Sequence, residues 1–202
     1  MQYFKKYNLA FFHIAKTGGT SFRDFLVRNL GKAKWYIKDT NHEPLTSKMS
    51  VMGKKLFDSI NIVTIVRDPF TAVVSYYDSI YSHNCSLDGK LKPHVAEKYP
   101  ALVDVYGLPF EEFIDWYVEN EKSYADYLLV DNKIPGNVHI IKLESLKQDS
   151  NRVLNDILGL NLNVNKIGRL NSANRDKSAM DYYSNSSLNK IRNKYKWCIG
   201  YE

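Results

Sequence analysis

Cysteine is scarce, with two residues in a chain of 202. Cys85 and Cys198 lack the spacing of metal ligands and read as free thiols of a reducing compartment, not as a disulfide. No stretch approaches the roughly 20 apolar residues of a membrane helix. The residues after Met1 do not resemble a secretory leader: Lys5 and Lys6 precede a short apolar run, Leu9 to Ile14, which ends at Lys16 without a small-residue cleavage site. A cytoplasmic location is therefore expected, and the sequons Asn84-Cys85-Ser86 and Asn185-Ser186-Ser187 carry no weight there. Repeats, linkers and single-sign charge tracts are also missing, which argues against long-range disorder.

What is present suits a folded enzyme of ordinary size. At 44% hydrophobic the chain can build a substantial core, and residues 1–202 are expected to form a single domain. A formal charge of +6 favours an anionic partner, whether a phosphorylated cofactor, a nucleic acid, an acidic polysaccharide or a membrane surface. Most lysines, scattered from Lys5 to Lys196, read as a solvated surface, so context must select the useful ones.

The pattern along the chain alternates between strand and helix. Asn8 to His13 reads as a buried strand, followed by a helix whose Phe22, Phe25, Leu26 and Leu30 share a face. Thr20 or Ser21 is expected to cap that helix and Gly31 to end it. Ala33 to Lys38 suggests another strand, and Pro44 opens a helical segment to about Phe57. Asn61 to Val66 is the clearest strand, β-branched and unbroken; Asp68 and Pro69 then suit the start of a helix to about Tyr81. Residues 84 to 108 read as a long irregular excursion. A helix carrying Phe110, Phe113, Ile114 and Tyr117 follows, then a strand from Val138 to Leu143, a helix from Ser145 to Leu158 ended by Gly159, and a last helix from about Ser187 to Tyr195. The alternation predicts an α/β fold with a mainly parallel sheet flanked by helices.

Chemistry concentrates at two strand ends. His13-Ile14-Ala15-Lys16-Thr17-Gly18-Gly19-Thr20-Ser21 places a lysine, two glycines and hydroxyls between a strand and a helix start. Glycines let backbone N–H groups approach an anion, the helix N-terminus adds partial positive charge, and lysine adds a full one. A capped tight turn is the plainer reading. A kinase-type loop needs its lysine after the second glycine, whereas Lys16 precedes both, and the dinucleotide pattern G-x-G-x-x-G is absent. At the second strand end stands Arg67-Asp68-Pro69, with Ser75 two turns into the next helix. Arginine offers a phosphate a bidentate fork and the serine a hydroxyl.

Together these segments resemble the sulfotransferase family, especially its carbohydrate-sulfotransferase branch. The resemblance implies a P-loop-like sulfotransferase fold and 3′-phosphoadenosine 5′-phosphosulfate (PAPS) as sulfuryl donor. On that basis Lys16, Thr17, Gly18, Gly19, Thr20 and Ser21 bind the 5′-phosphosulfate, while Arg67 and Ser75 bind the 3′-phosphate. Asn171 to Arg175 with Tyr182-Tyr183 resembles the family's late segment that folds over the cofactor, which would bring Arg175 to the 3′-phosphate. Ile199-Gly200-Tyr201 resembles the family's closing motif, although Trp197-Cys198 stands where an aspartate is common. The implied partners are PAPS and an unidentified acceptor, a carbohydrate among the classes, and not nucleic acid; no metal is expected.

Sulfuryl transfer, like phosphoryl transfer, depends on positioning and charge stabilisation at a loose in-line transition state. Lys16 suits the leaving oxygen. Of the five histidines, His13 and His139 sit in apolar strands and read as core, and His83 and His94 flank the excursion. His42 lies in the polar loop Asn41-His42-Glu43-Pro44, where related sulfotransferases carry a catalytic histidine or glutamate. It is the expected general base, with Glu43 in reserve. The excursion is the expected acceptor-recognition segment. Trp35, Trp116 and the tyrosines are candidate stacking residues, although aromatics at helical spacing are more often core. Two other classes stay open: a nucleotide kinase-like phosphotransferase and a non-catalytic basic domain that grips polyanions.

Overall fold

The computed structural model describes residues 1–35, 42–82, 92–98, 100–168 and 177–199. In chain order its strands and principal helices are β1 (Gln2–Phe4), β2 (Leu9–Phe12), α1 (Gly19–Leu30), β3 (Lys34–Trp35), α2 (Leu45–Met52), α3 (Lys54–Ser59), β4 (Asn61–Val66), α4 (Pro69–Ser82), α5 (Pro93–Lys98), α6 (Ala101–Val105), α7 (Phe110–Asn120), α8 (Tyr124–Leu128), β5 (Val138–Lys142), α9 (Leu146–Ser150) and α10 (Asn185–Ile199). The contacts divide the chain into two compact units: residues 1–68 with 124–171, and residues 69–123 with 172–202.

The first unit holds a five-stranded sheet in the order β3-β1-β2-β4-β5. Three strands, β2, β4 and β5, run parallel, aligning Phe11 with Val63 and Val63 with His139. β1 lies between β3 and β2 and pairs antiparallel with both, which the hydrophobic pattern does not announce. Alternation along the strands puts Leu9, Phe11, Val63, Ile65 and Ile141 on one face. There they meet Phe22, Phe25 and Leu26, which the helical period of α1 collects on its inner side, and Val153 and Leu154 beyond α9. Each fully buried side chain of this kind contributes about 1.5–3 kcal/mol relative to exposure.

Chain ends of these helices follow from glycine. Gly31, at φ 84°, ends α1 with its N–H on the Val27 carbonyl at 3.0 Å. The segment expected as one helix from Pro44 is two, because Gly53 at φ 82° breaks it into α2 and α3. Beyond α9 the chain widens into π-helical turns over Asn151–Ile157, with the Leu158 N–H on the Val153 carbonyl at 3.1 Å, before Gly159 at φ 65° stops it.

The second unit is helical and aromatic. Tyr76 and Tyr77 of α4 lie 6.0 and 5.1 Å from the Phe113 ring of α7, and Phe110 lies 5.0 Å from Tyr183. The hydroxyls inside this cluster are bonded, as burial requires. Tyr117 and Tyr195 share a bond of 2.9 Å, Tyr76 donates to Glu121 at 2.6 Å, and Tyr183 donates to the Phe70 carbonyl at 2.8 Å. Trp116 stacks on Phe113 at 6.2 Å, so it belongs to this cluster. The excursion over 84–108 is in part regular, since α5 and α6 fall inside it; residues 83–91 and 99 lie outside the described residues.

Candidate functional site

The sequence His13 to Ser21 forms the loop between β2 and α1. Lys16 takes a left-handed conformation at φ 62° and Gly18 another at φ 80°. Such a conformation costs a non-glycine residue about 1–2 kcal/mol, so Lys16 is held there by its surroundings. One support is Arg67, whose Nη1 donates to the Lys16 carbonyl at 3.3 Å. Another is Thr17, whose hydroxyl is fully buried and donates to the Ile14 carbonyl at 2.8 Å. The Thr17 side chain thus stabilises the loop from within.

Gly18, not Thr20 or Ser21, occupies the N-cap position of α1, and its carbonyl accepts the Phe22 N–H at 3.4 Å. A glycine there offers no side-chain oxygen to the first N–H groups of the helix. Its φ of 80° favours glycine, and a Cβ there would also have to push aside the Leu143 side chain, whose Cδ1 would lie at 2.7 Å. At Gly19 a Cβ would fall on the imidazole of His13. Thr20 is half-buried and Ser21 buried on the first turn. Backbone amides, a helix N-terminus and Lys16 are a donor set for an anion, with no carboxylate within the segment.

The turn after β4 is fastened differently. Tyr124 donates its hydroxyl to the Arg67 carbonyl at 2.8 Å and accepts the Arg67 N–H at 3.2 Å. The Asp68 N–H donates to Glu144 Oε1 at 2.8 Å. Arg67 is therefore positioned by α8 and by the residues after β5. Its guanidinium has five donors, of which the bond to Lys16 uses one.

His42 sits beside the loop. Its Nδ1 is 3.3 Å from the His13 carbonyl, and the two rings meet edge to face at 5.1 Å between centroids. A carbonyl only accepts, so Nδ1 carries the proton and Nε2 holds the lone pair. Part of His42 is open to solvent, yet the protein crowding its ring lowers its pKa from 6.5, the bond to His13 pulls the other way, and the charge of Lys48 adds to the lowering. Burial, then the neighbouring His42, pushes His13 down to about 3. Lys48, on α2, is 1% exposed; burial lowers its pKa and the Glu43 carboxylate opposes the shift. The sequence hides Lys48 among scattered lysines, and the apolar run before His13 makes that residue read as core.

Hydrogen bonds thus join Lys16 to Arg67 and His42 to His13, with Glu43 acting on Lys48. Ser75 is half-buried on α4, in the second unit, and Arg175 lies outside the described residues. His139 is half-buried and bonded to Asn61 Oδ1 at 3.0 Å. No group of three or more metal-ligating side chains occurs among the described residues, nor any helix long and apolar enough to cross a membrane. A family model described as the sulfotransferase family matches residues 1–196. Neither curated proteins nor solved structures returned a match.

Proposed function

Because the chain belongs to the sulfotransferase family, we propose that it transfers a sulfuryl group from PAPS to a hydroxyl or amine acceptor, with a carbohydrate hydroxyl the first class to assay. The observation that carries this reading is the loop after β2, where left-handed Lys16 and Gly18 lead into a helix whose N-cap is glycine, with Arg67 bonded to the Lys16 carbonyl. This donor set suits the two anionic ends of PAPS, amides and Lys16 for the phosphosulfate and Arg67 for the 3′-phosphate; Ser75 and Arg175 are added as 3′-phosphate ligands on the family resemblance alone.

The donor, when bound, supplies an activated sulfuryl group. The protein's part is electrostatic and geometric. Lys16 sets a full positive charge at the loop where negative charge develops on the leaving oxygen. The backbone amides of the first turn of α1 contribute partial charges that are already oriented, so little reorganisation opposes the reaction. His42 Nε2 takes the acceptor's proton, and its lowered pKa keeps it in the neutral form this requires. Glu43 is the reserve for that role.

Calorimetric titration separates this reading from its rivals. PAPS should bind substantially tighter than adenosine 5′-phosphosulfate, which lacks the 3′-phosphate, and ATP should not compete. Equal affinity for the two phosphosulfates, with a steep salt dependence, would identify a polyanion-binding domain instead. Preference for ATP would identify a phosphotransferase.

A further inference from the structure

We propose that His13 is a positioning residue that ties the orientation of the base His42 to the anion loop. The inference rests on the reading of His42 as base, and it concerns a residue whose apolar strand context marks it as core. Three contacts converge on His13. Its carbonyl lies 3.3 Å from His42 Nδ1. Its ring meets the edge of the His42 ring at 5.1 Å, with the planes at 72°. The same ring occupies the space that a side chain at Gly19 would need, over the first turn of α1. Behind it, the buried Phe11 ring stacks at 5.9 Å and fixes its plane.

The consequence is mechanical and electrical. A ring packed against several neighbours transmits displacement between them. When an anion draws the amides of Gly19 and its neighbours toward itself, the His13 ring is displaced, and His42 follows through both carbonyl and ring. His42 is otherwise part-exposed, and a solvated imidazole could exchange its proton between Nδ1 and Nε2. The His13 carbonyl selects the tautomer with Nε2 unprotonated, which is the one able to accept a proton, and the His13 ring holds the His42 ring against that carbonyl. His13 is also held neutral, with its pKa pushed down to about 3 by burial and by the charges of His42, Arg23 and Lys16 among others. A neutral ring adds no repulsion when His42 becomes imidazolium, whereas a charged one 5.1 Å away would oppose it.

The test uses the full chain labelled with ¹⁵N-histidine and reads the His42 ring nitrogens by NMR, with adenosine 3′,5′-bisphosphate as the probe. In the wild type His42 should show protonated Nδ1, and the probe should shift its signals. His13→Ala keeps the carbonyl but removes the ring that packs His42 against it, so the two tautomers should mix and the response to the probe should fall below about a third of the wild-type shift. The turnover number should drop about tenfold or more while the KM for PAPS stays within about threefold, since misorientation of a reacting group lowers the chemical step. His13→Phe keeps a neutral ring in an aromatic neighbourhood, so it should retain both the tautomer and turnover within about threefold. An unchanged His42 tautomer and probe response in His13→Ala would overturn the proposal, as would a loss of tenfold or more in folded His13→Phe. If the wild type does not bind the probe, the loop assignment fails. The tautomer in the ligand-free proteins then still decides the role of His13.

Discussion

The loop after β2 and the turn after β4 leave neighbouring parallel strands, but they are held in different ways. In the loop, the geometry is local: Lys16 and Gly18 are left-handed, Thr17 bonds back three residues to Ile14, and Gly18 begins the helix. In the turn, the partners are distant. Tyr124 grips both backbone groups of Arg67 from 57 residues away, and Glu144 takes the Asp68 N–H from 76 residues away. One site element is therefore built mainly from local contacts, and the other depends on the fold being complete. Where the two meet, Arg67 bonds the Lys16 carbonyl, so each should respond differently to mutation.

The largest expected effect is at the proposed base, His42, which leans on the loop. His42→Ala should lower turnover with a weakly acidic alcohol by about 10²–10⁴-fold and leave PAPS affinity nearly unchanged. Because the His42 pKa is lowered from 6.5, the wild-type rate should hold at neutral pH and fall only as pH drops below 6.5, through the pKa, when the base becomes protonated. That acidic limb should flatten in the variant. If Glu43→Gln abolishes turnover while His42→Ala retains it, the two roles are exchanged.

Next comes the loop's own charge. Lys16→Ala should cost about 2.7–4 kcal/mol in the chemical step, the range for a removed oxyanion stabiliser, while circular dichroism and the unfolding midpoint stay close to wild type. Full turnover in a folded variant would sink the assignment of the leaving-group cation.

The turn should show its effect in affinity. Arg67→Ala is expected to weaken PAPS by about 1.5–3 kcal/mol, as for hydrogen bonds to charged groups, with a much smaller effect on adenosine 5′-phosphosulfate. The variant also removes the bond to the Lys16 carbonyl. An equal loss for both ligands would mean that Arg67 acts only by supporting the loop, and the contrast between loop and turn would disappear.

The smallest effect should separate local from distant support. Tyr124→Phe deletes the hydroxyl that bonds Arg67 on both sides, at a cost in stability of about 0.5–1.5 kcal/mol by urea unfolding, because half-buried Arg67 can recover water. PAPS affinity should fall modestly, and turnover at saturating PAPS should not. A turnover loss as large as that of Lys16→Ala would show that the loop also depends on distant residues.

Much of this molecule is local enough to read from residue order. The run from Asn61 to Val66 is β4 to the residue, because unbroken β-branched chains suit a buried strand. Phe22, Phe25 and Leu26 at helical spacing are the inner face of α1, and the lysine-before-glycine segment falls in the loop between β2 and α1. Other features were decided by partners far along the chain. β1 is three residues long and becomes a strand only by pairing with β2 and β3. The tyrosines and Trp116 around Phe113 became a packed cluster with bonded hydroxyls. Thr20 and Ser21 are equally good caps by composition, yet the helix begins earlier, at Gly18.

His13 draws the boundary most sharply. Its neighbours in sequence are apolar and that context reads as core, whereas His13 lies just past the end of β2 and is half-buried. Only the tertiary structure brings Gly19 under its ring and His42 to its edge and carbonyl. Residue order determined the backbone conformations, since glycine freedom, β-branching and helical period act over a few residues. The protonation and orientation of His42 were left to the fold, because desolvation and charge act through space between groups whose separation along the chain carries no information about their distance.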